Sequence, residues 1–124
     1  MAGTFRDLMI WQKGFELLMI VKKITAKYPK EEKFALTDQT DRSANGVIAS
    51  IAEAYGRYYF ADKARTLYVG RGECLETQSH LSVARGLGYI EDSEFNYLDG
   101  EYQGLSKGIN SYIKSLKINK KRLN

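Results

Sequence analysis

Few residues in this chain of 124 could do chemistry. It has one cysteine, Cys74, and one histidine, His80, so one chain can form neither a Cys- or His-rich metal site nor an internal disulfide. Glu53 and Glu76 stand on different segments, and carboxylates so placed hold metals in di-iron bundles when Glu-x-x-His motifs complete the set. Here His80 follows Glu76 at i+4 rather than i+3, and there is no second His. Glu53 and Glu76 are expected to pair with Arg42, Arg57 or Arg71 across helices instead. Cys74 has no His partner nearby in sequence and reads as a small hydrophobe. His80 reads as a surface residue. No catalytic residue, cofactor, metal site or small-molecule substrate is expected.

Two other patterns could bind rather than react. Gly70-Arg71-Gly72 and Gly86-Leu87-Gly88 follow no strand and lack Walker spacing, so they are not phosphate loops. Tyr55, Tyr58 and Tyr59 flank Arg57, and aromatics interleaved with Arg can stack on single-stranded bases or simply pack at a turn. The charge is uneven. Residues 107–124 carry Lys107, Lys114, Lys117, Lys120, Lys121 and Arg122 and no acid, while the preceding residues hold the other 13 bases and all 15 acids. The net charge of +4 therefore belongs to the C-terminal end. Such a tail can bind phosphates by releasing counterions, or be a solvated helix end whose cations suit the helix dipole. Lys114, Lys117, Lys120, Lys121, Arg122 and Arg57 are the candidate contacts to RNA or DNA.

The elements that must position these groups are helical. Apolar residues make up 44% and charged residues 27%, an ordinary soluble composition for one domain spanning 1–124. No apolar run approaches ~18 residues, and Met-Ala-Gly-Thr-Phe-Arg-Asp lacks a signal-peptide core, so neither a membrane span nor a secretory leader is expected. Helical spacing recurs and strand periodicity is absent.

A first helix is expected over about Phe5–Tyr28, with Leu8, Trp11, Phe15 and Leu18 facing the core and Pro29 ending it. Ile10, Leu17, Ile20 and Ile24 form a second apolar line. Left outside the core they would make a patch that monomers avoid, so they are the expected oligomer interface. A second helix over about Glu32–Tyr58 presents Ala44, Val47, Ile48, Ile51, Ala52 and Tyr55. Its first half, Thr37–Arg42, is polar for a packed helix, and Gly46 weakens it. A third helix begins near Asp62 and ends at Gly86-Leu87-Gly88. Its stripe is Ala64, Leu67, Tyr68, Arg71, Cys74, Leu75, Gln78, Leu81 and Ser82. A fourth runs from Asp92 or Ser93 to the end, with Phe95, Leu98, Tyr102, Leu105, Ile109, Tyr112, Ile113 and Leu116 inward. Gly100, Gly104 and Gly108 recur along it and either admit a neighbour or loosen the helix. Short connections make the helices antiparallel, so the expected fold is all-α, an antiparallel up-and-down four-helix bundle with Ile48, Ile51, Leu75 and Leu81 in its core.

Several phrases carry a resemblance. Phe5-Arg-Asp-Leu8, Trp11-Gln-Lys13, Tyr28-Pro-Lys-Glu-Glu32, Leu36-Thr-x-Gln39, Arg42-x-Ala44, Ile51-Ala-Glu53, Leu75-Glu-Thr-Gln78 and Leu87-Gly-Tyr89, in this order, resemble the 23S rRNA intervening-sequence protein family of four-helix-bundle proteins. The resemblance implies a bacterial cytoplasmic protein that assembles as a homopentamer. It also implies kinship with bundle proteins that assist retroelement reverse transcriptases by binding nucleic acid. It implies no catalytic residues. The sequence departs from the family pattern at Ala54, where Gly is usual, and at Arg71 and Cys74, which replace a Ser and a Glu. The expected function is that of a non-enzymatic homo-oligomeric four-helix-bundle protein, either nucleic-acid-binding, with RNA or DNA as partner, or an adaptor. The alternatives are a protein-only accessory subunit, such as a reverse-transcriptase partner, and a metal-binding bundle.

Overall fold

The computed structural model describes residues 3–123, with side chains to residue 120. Four helices follow one another: α1 (Met9–Thr25), α2 (Leu36–Gly56), α3 (Phe60–Gly86) and α4 (Asp92–Leu123). Each packs on the next and α4 closes on α1, so the chain runs up, down, up and down around one core. No strand occurs among the described residues.

α1 is shorter than its apolar pattern suggests. Phe5–Asp7 is instead a separate 3-10 turn, closed by a capping box between Thr4 and Asp7, and extended backbone at Leu8 separates it from the helix. At the other end, Pro29 leads a second 3-10 turn, Lys30–Glu32, which delays α2 to Leu36. α3 ends as its glycines require. The amide of Tyr89 donates to the Ala84 carbonyl at 2.9 Å and that of Gly88 to the Arg85 carbonyl at 3.0 Å. This pair of hydrogen bonds needs a left-handed residue, and Gly88 supplies it at φ 79°.

The core contains Leu17, Val21, Val47, Ile51, Leu67, Cys74, Leu81, Leu98, Tyr102 and Ile109. Two expectations need correction here. On α1 both apolar lines meet the core: Leu18 is buried as expected and Leu8 and Trp11 are half-buried, but Phe15 and Leu17 exchange places. Gly14, Leu17, Leu18, Val21 and Thr25 are buried. The Cβ position of Gly14 lies 2.6 Å from Ile48 Cγ2, so only glycine lets α2 come this close. That approach turns Leu17 inward, where it is fully buried within the chain and therefore core rather than free interface. Ile10, Ile20 and Ile24 are half-buried along the core's edge. Phe15, expected inside, is 42% exposed and stacks on Trp11 at 5.2 Å. Leu75 is the second correction: it is 57% exposed. The buried line of α3 runs through Ala64, Leu67, Gly70, Cys74, Thr77, Leu81 and Ala84. Spaced by threes and fours, it is a narrow seam of small residues, and Tyr68 and Leu75 stand outside it.

The polar start of α2 turns Thr40 and, just after it, Ser43 into the core, where both are hydrogen-bonded. Thr40 Oγ1 donates to the Leu36 carbonyl at 2.6 Å, and Ser43 and Thr77 share a hydrogen bond at 2.8 Å across the α2–α3 seam. Asp41 accepts from Thr25 Oγ1 at 2.7 Å and pairs with Lys22 at 3.2 Å, tying α1 to α2. Of the α4 glycines, Gly108 receives Ile10, whose Cγ2 lies 3.1 Å from its Cβ position, whereas Gly100 and Gly104 meet nothing within 4 Å.

Truncating Ile51, which is fully buried, to Ala should cost ~2–5 kcal/mol in urea unfolding. Leu75→Ala should cost less than ~1 kcal/mol. The reverse order would mean that the α3 face is turned.

Burial also sets the alkaline limit of the fold. It pushes the Cys74 thiol from 9.0 up to about 11, against a smaller opposing effect of the nearby Ser106 hydroxyl. Burial pushes Tyr28 from 10.0 up to about 12. These groups keep their protons in the folded chain where the unfolded chain has released them. Their contribution is therefore complete below about pH 9 and is lost as pH rises through roughly 11 to 12. Tyrosinate absorbance and far-ultraviolet circular dichroism should change together in that window. Tyrosine ionisation completed at ordinary values, with the helix signal intact, would contradict it.

Candidate nucleic-acid interface

α4 is the longest helix, 32 residues against 21 for α2. Its inward line runs through Leu98, Tyr102, Leu105, Ile109 and Ile113 to Leu116. The next position on that spacing is Lys120, where the core has ended. Lys107, Lys114, Lys117 and Lys120 are all exposed. They follow the helix at spacings of seven, three and three residues over about 20 Å at 1.5 Å rise per residue, so Lys107 and Lys114 share the outer face while Lys117 and Lys120 turn from it in succession by about 60° each. None of the four makes an ion pair with a described residue; the same holds for Lys23, Lys27, Lys30 and Lys33, but Glu31 and Glu32 lie among those, whereas residues 107–120 contain no acid. Arg71 of α3 stands beside Lys107 and Lys114. Its guanidinium donates to Asn110 Oδ1 at 2.8 Å and lies over the Tyr68 ring at 4.9 Å. The side chains of Lys121 and Arg122, also named from the sequence, lie outside the described residues.

The aromatic candidates stand at the same end of the bundle. The α2–α3 turn leaves Tyr58 87% and Tyr59 67% exposed, with ring centroids 5.0 Å apart at 82°. Phe60 opens α3, and Lys120 Nζ lies over its ring at 5.5 Å. Lys63 turns the other way and caps α2 by donating to the carbonyls of Ala54 and Tyr55 at 3.2 and 3.0 Å. Desolvation lowers its pKa. Together these residues bound a cleft of about 440 Å³. Arg57 is beside it, but its guanidinium donates to Glu53 at 2.6 Å within α2, so its charge is compensated. Tyr55 bonds through its hydroxyl to the Gly3 carbonyl at 3.0 Å, outside the cleft.

The structure does not bring Glu53 and Glu76 together, nor pair either across helices. Glu53 holds Arg57, and Arg42 holds Asp38, each one turn away on the same helix. Cross-helix pairing falls instead to Lys13–Glu101 at 2.9 Å and Lys22–Asp41 at 3.2 Å. Glu76 and His80 line a polar cleft between α2 and α3 with Asp38 and Glu73. The Glu73 carboxyl is raised by burial and by Glu76, and it packs where a side chain at Gly46 would stand. That packing is a use of Gly46 which the sequence pattern alone does not reveal. Among the described residues, no three His, Cys, Asp or Glu side chains gather where they could hold an ion. No described helix is long and apolar enough to cross a membrane.

Comparison with known proteins agrees with this architecture. No curated protein matches the chain. A crystal structure from Bacteroides thetaiotaomicron, a protein of unknown function from the S23 ribosomal protein family, superposes with a TM-score of 0.78. It shares 24% identity over 85% of this chain and 95% of the other, which shows a common fold. The family profile of the 23S rRNA-intervening sequence protein matches residues 6–111, nearly the whole bundle. The chain belongs to the 23S rRNA-intervening sequence protein family.

Proposed function

We propose that this protein is a non-enzymatic, cytoplasmic homo-oligomer that binds RNA or DNA through the basic end of α4. The observation that carries the reading is the acid-free stretch 107–120, where Lys107, Lys114, Lys117 and Lys120 are exposed and without an ion-pair partner among the described residues. Uncompensated cations so grouped suit a phosphate backbone, because each phosphate they neutralise releases a counterion. The family's name, which refers to 23S rRNA, is in keeping with such a partner.

Apolar exposure on two helices supports self-association. α1 presents Phe15 and Met19, 42% and 41% exposed, and α3 presents Tyr68, Leu75 and Val83, 50%, 57% and 48% exposed. Faces of this kind are ordinarily covered in a soluble protein. The pentamer is carried by family resemblance alone. These same apolar faces also favour the second reading, a protein-only accessory subunit.

An electrophoretic shift titration with RNA and DNA at two salt concentrations tests the binding. Deleting residues 117–124 should weaken it and flatten the salt dependence, the slope falling by about one for each phosphate that is no longer neutralised. Unchanged affinity after the deletion would move the site elsewhere, and no shift at low salt would favour the protein-only reading. Sedimentation at micromolar concentration should give a mass well above the 14.1 kDa monomer. A clean monomer would refute the self-association.

A further inference from the structure

We infer that the cleft between the α2–α3 turn and the last turns of α4 is a stacking site for the bases of single-stranded nucleic acid. The inference rests on the nucleic-acid reading above and narrows it to a class of ligand. Tyr58 and Tyr59 contribute little to the fold, since both rings are mostly in solvent. They are nevertheless ordered against each other, edge to face at 5.0 Å, which leaves a ring face open. Across the cleft stand Leu116, Asn119 and Lys120. The site thus offers aromatic faces, an apolar wall, an amide that can both donate and accept, and a cation. A base and its phosphate need this combination, and every base has a π-face to stack.

The placement of Lys120 connects the cleft to the basic end of α4. It occupies the position after Leu116 on the inward line of α4, beyond the end of the core, and leans over Phe60. From it Lys117 lies one step round the helix, about 60° away, and Lys114 and Lys107 lie on the outer face beyond. A strand with a base against the tyrosines can therefore set its adjacent phosphates at Lys120 and Lys117. A duplex cannot do both, because its bases are already stacked and paired inside the helix.

The test is fluorescence anisotropy on the full chain with oligouridylate and oligothymidylate of about 20 nucleotides and a duplex of equal length, longer than the usual single-strand site. Replacing both rings, Tyr58→Ala with Tyr59→Ala, should lower single-strand affinity about 10- to 100-fold. Duplex affinity and the salt slope should stay unchanged. Tyr58→Phe with Tyr59→Phe should retain the single-strand affinity. Ultraviolet crosslinking should place uridine adducts on the peptide containing Tyr58 and Tyr59. Equal weakening for single strand and duplex, or none for either, would overturn the stacking site while leaving binding by the lysines in place. Wild-type protein that binds no nucleic acid at low salt would overturn both readings. A fall in sedimentation mass on removing the tyrosines would overturn the stacking site and assign the rings to a subunit interface.

Discussion

The close approach of α2 and α3 is the constraint on which the rest of the structure depends. The Cβ position of Gly70 lies 3.1 Å from Ser50 Cβ, and a buried hydrogen bond joins Ser43 to Thr77 at 2.8 Å. A seam this tight admits Ala, Gly, Ser, Thr and Cys but few large side chains. Leu67 and Leu81 fit where α3 also faces the centre, and both are fully buried. The remaining bulky residues of α3, Tyr68, Val69, Leu75 and Val83, are pushed outward. One local requirement thus gives the bundle its rigid centre and gives α3 an apolar outer face.

The same seam explains what could be read from the sequence and what could not. α4 was fully legible, because a wide apolar stripe meets a wide core and all its expected inward residues are buried or half-buried. The stripe of α2 was legible for the same reason through Ile51, although Tyr55 at its end is 38% exposed. α3 misled because both its faces are apolar. When burial selects for small residues, the large ones mark the outside, and Leu75 is the example. α1 misled in a related way. Phe15 is one of the two largest apolar side chains on the helix, yet Gly14 decides the orientation by admitting Ile48, and Phe15 is left 42% exposed. The polar run at the start of α2 could not be placed from pattern alone, since its burial depends on partners distant in sequence, Thr25 and Thr77.

The candidate site was legible residue by residue but not as a site. The basic tail and the tyrosine cluster are separated by some fifty residues, and periodicity has no means of joining them. Antiparallel packing does so, because the end of α2, the start of α3 and the end of α4 share one end of the bundle. The ionisable groups that could have suggested catalysis are used otherwise. Cys74 is sealed in the core. Glu53 is engaged by Arg57, and Asp41 by Thr25 and Lys22. Lys23, Lys27, Lys30 and Lys33 also make no ion pair with a described residue, but Glu31 and Glu32 stand beside them, whereas residues 107–120 of α4 contain no acid.

Hydrogen–deuterium exchange with and without a single-stranded oligonucleotide addresses the central claim most directly, because it asks where the ligand sits without altering a residue. Protection is expected in two segments far apart in sequence, around residues 56–63 and 107–120, with the α2–α3 polar cleft near residues 38–43 and 73–80 unaffected. Protection confined to that polar cleft, or none in either of the two segments under saturating oligonucleotide, would contradict the account.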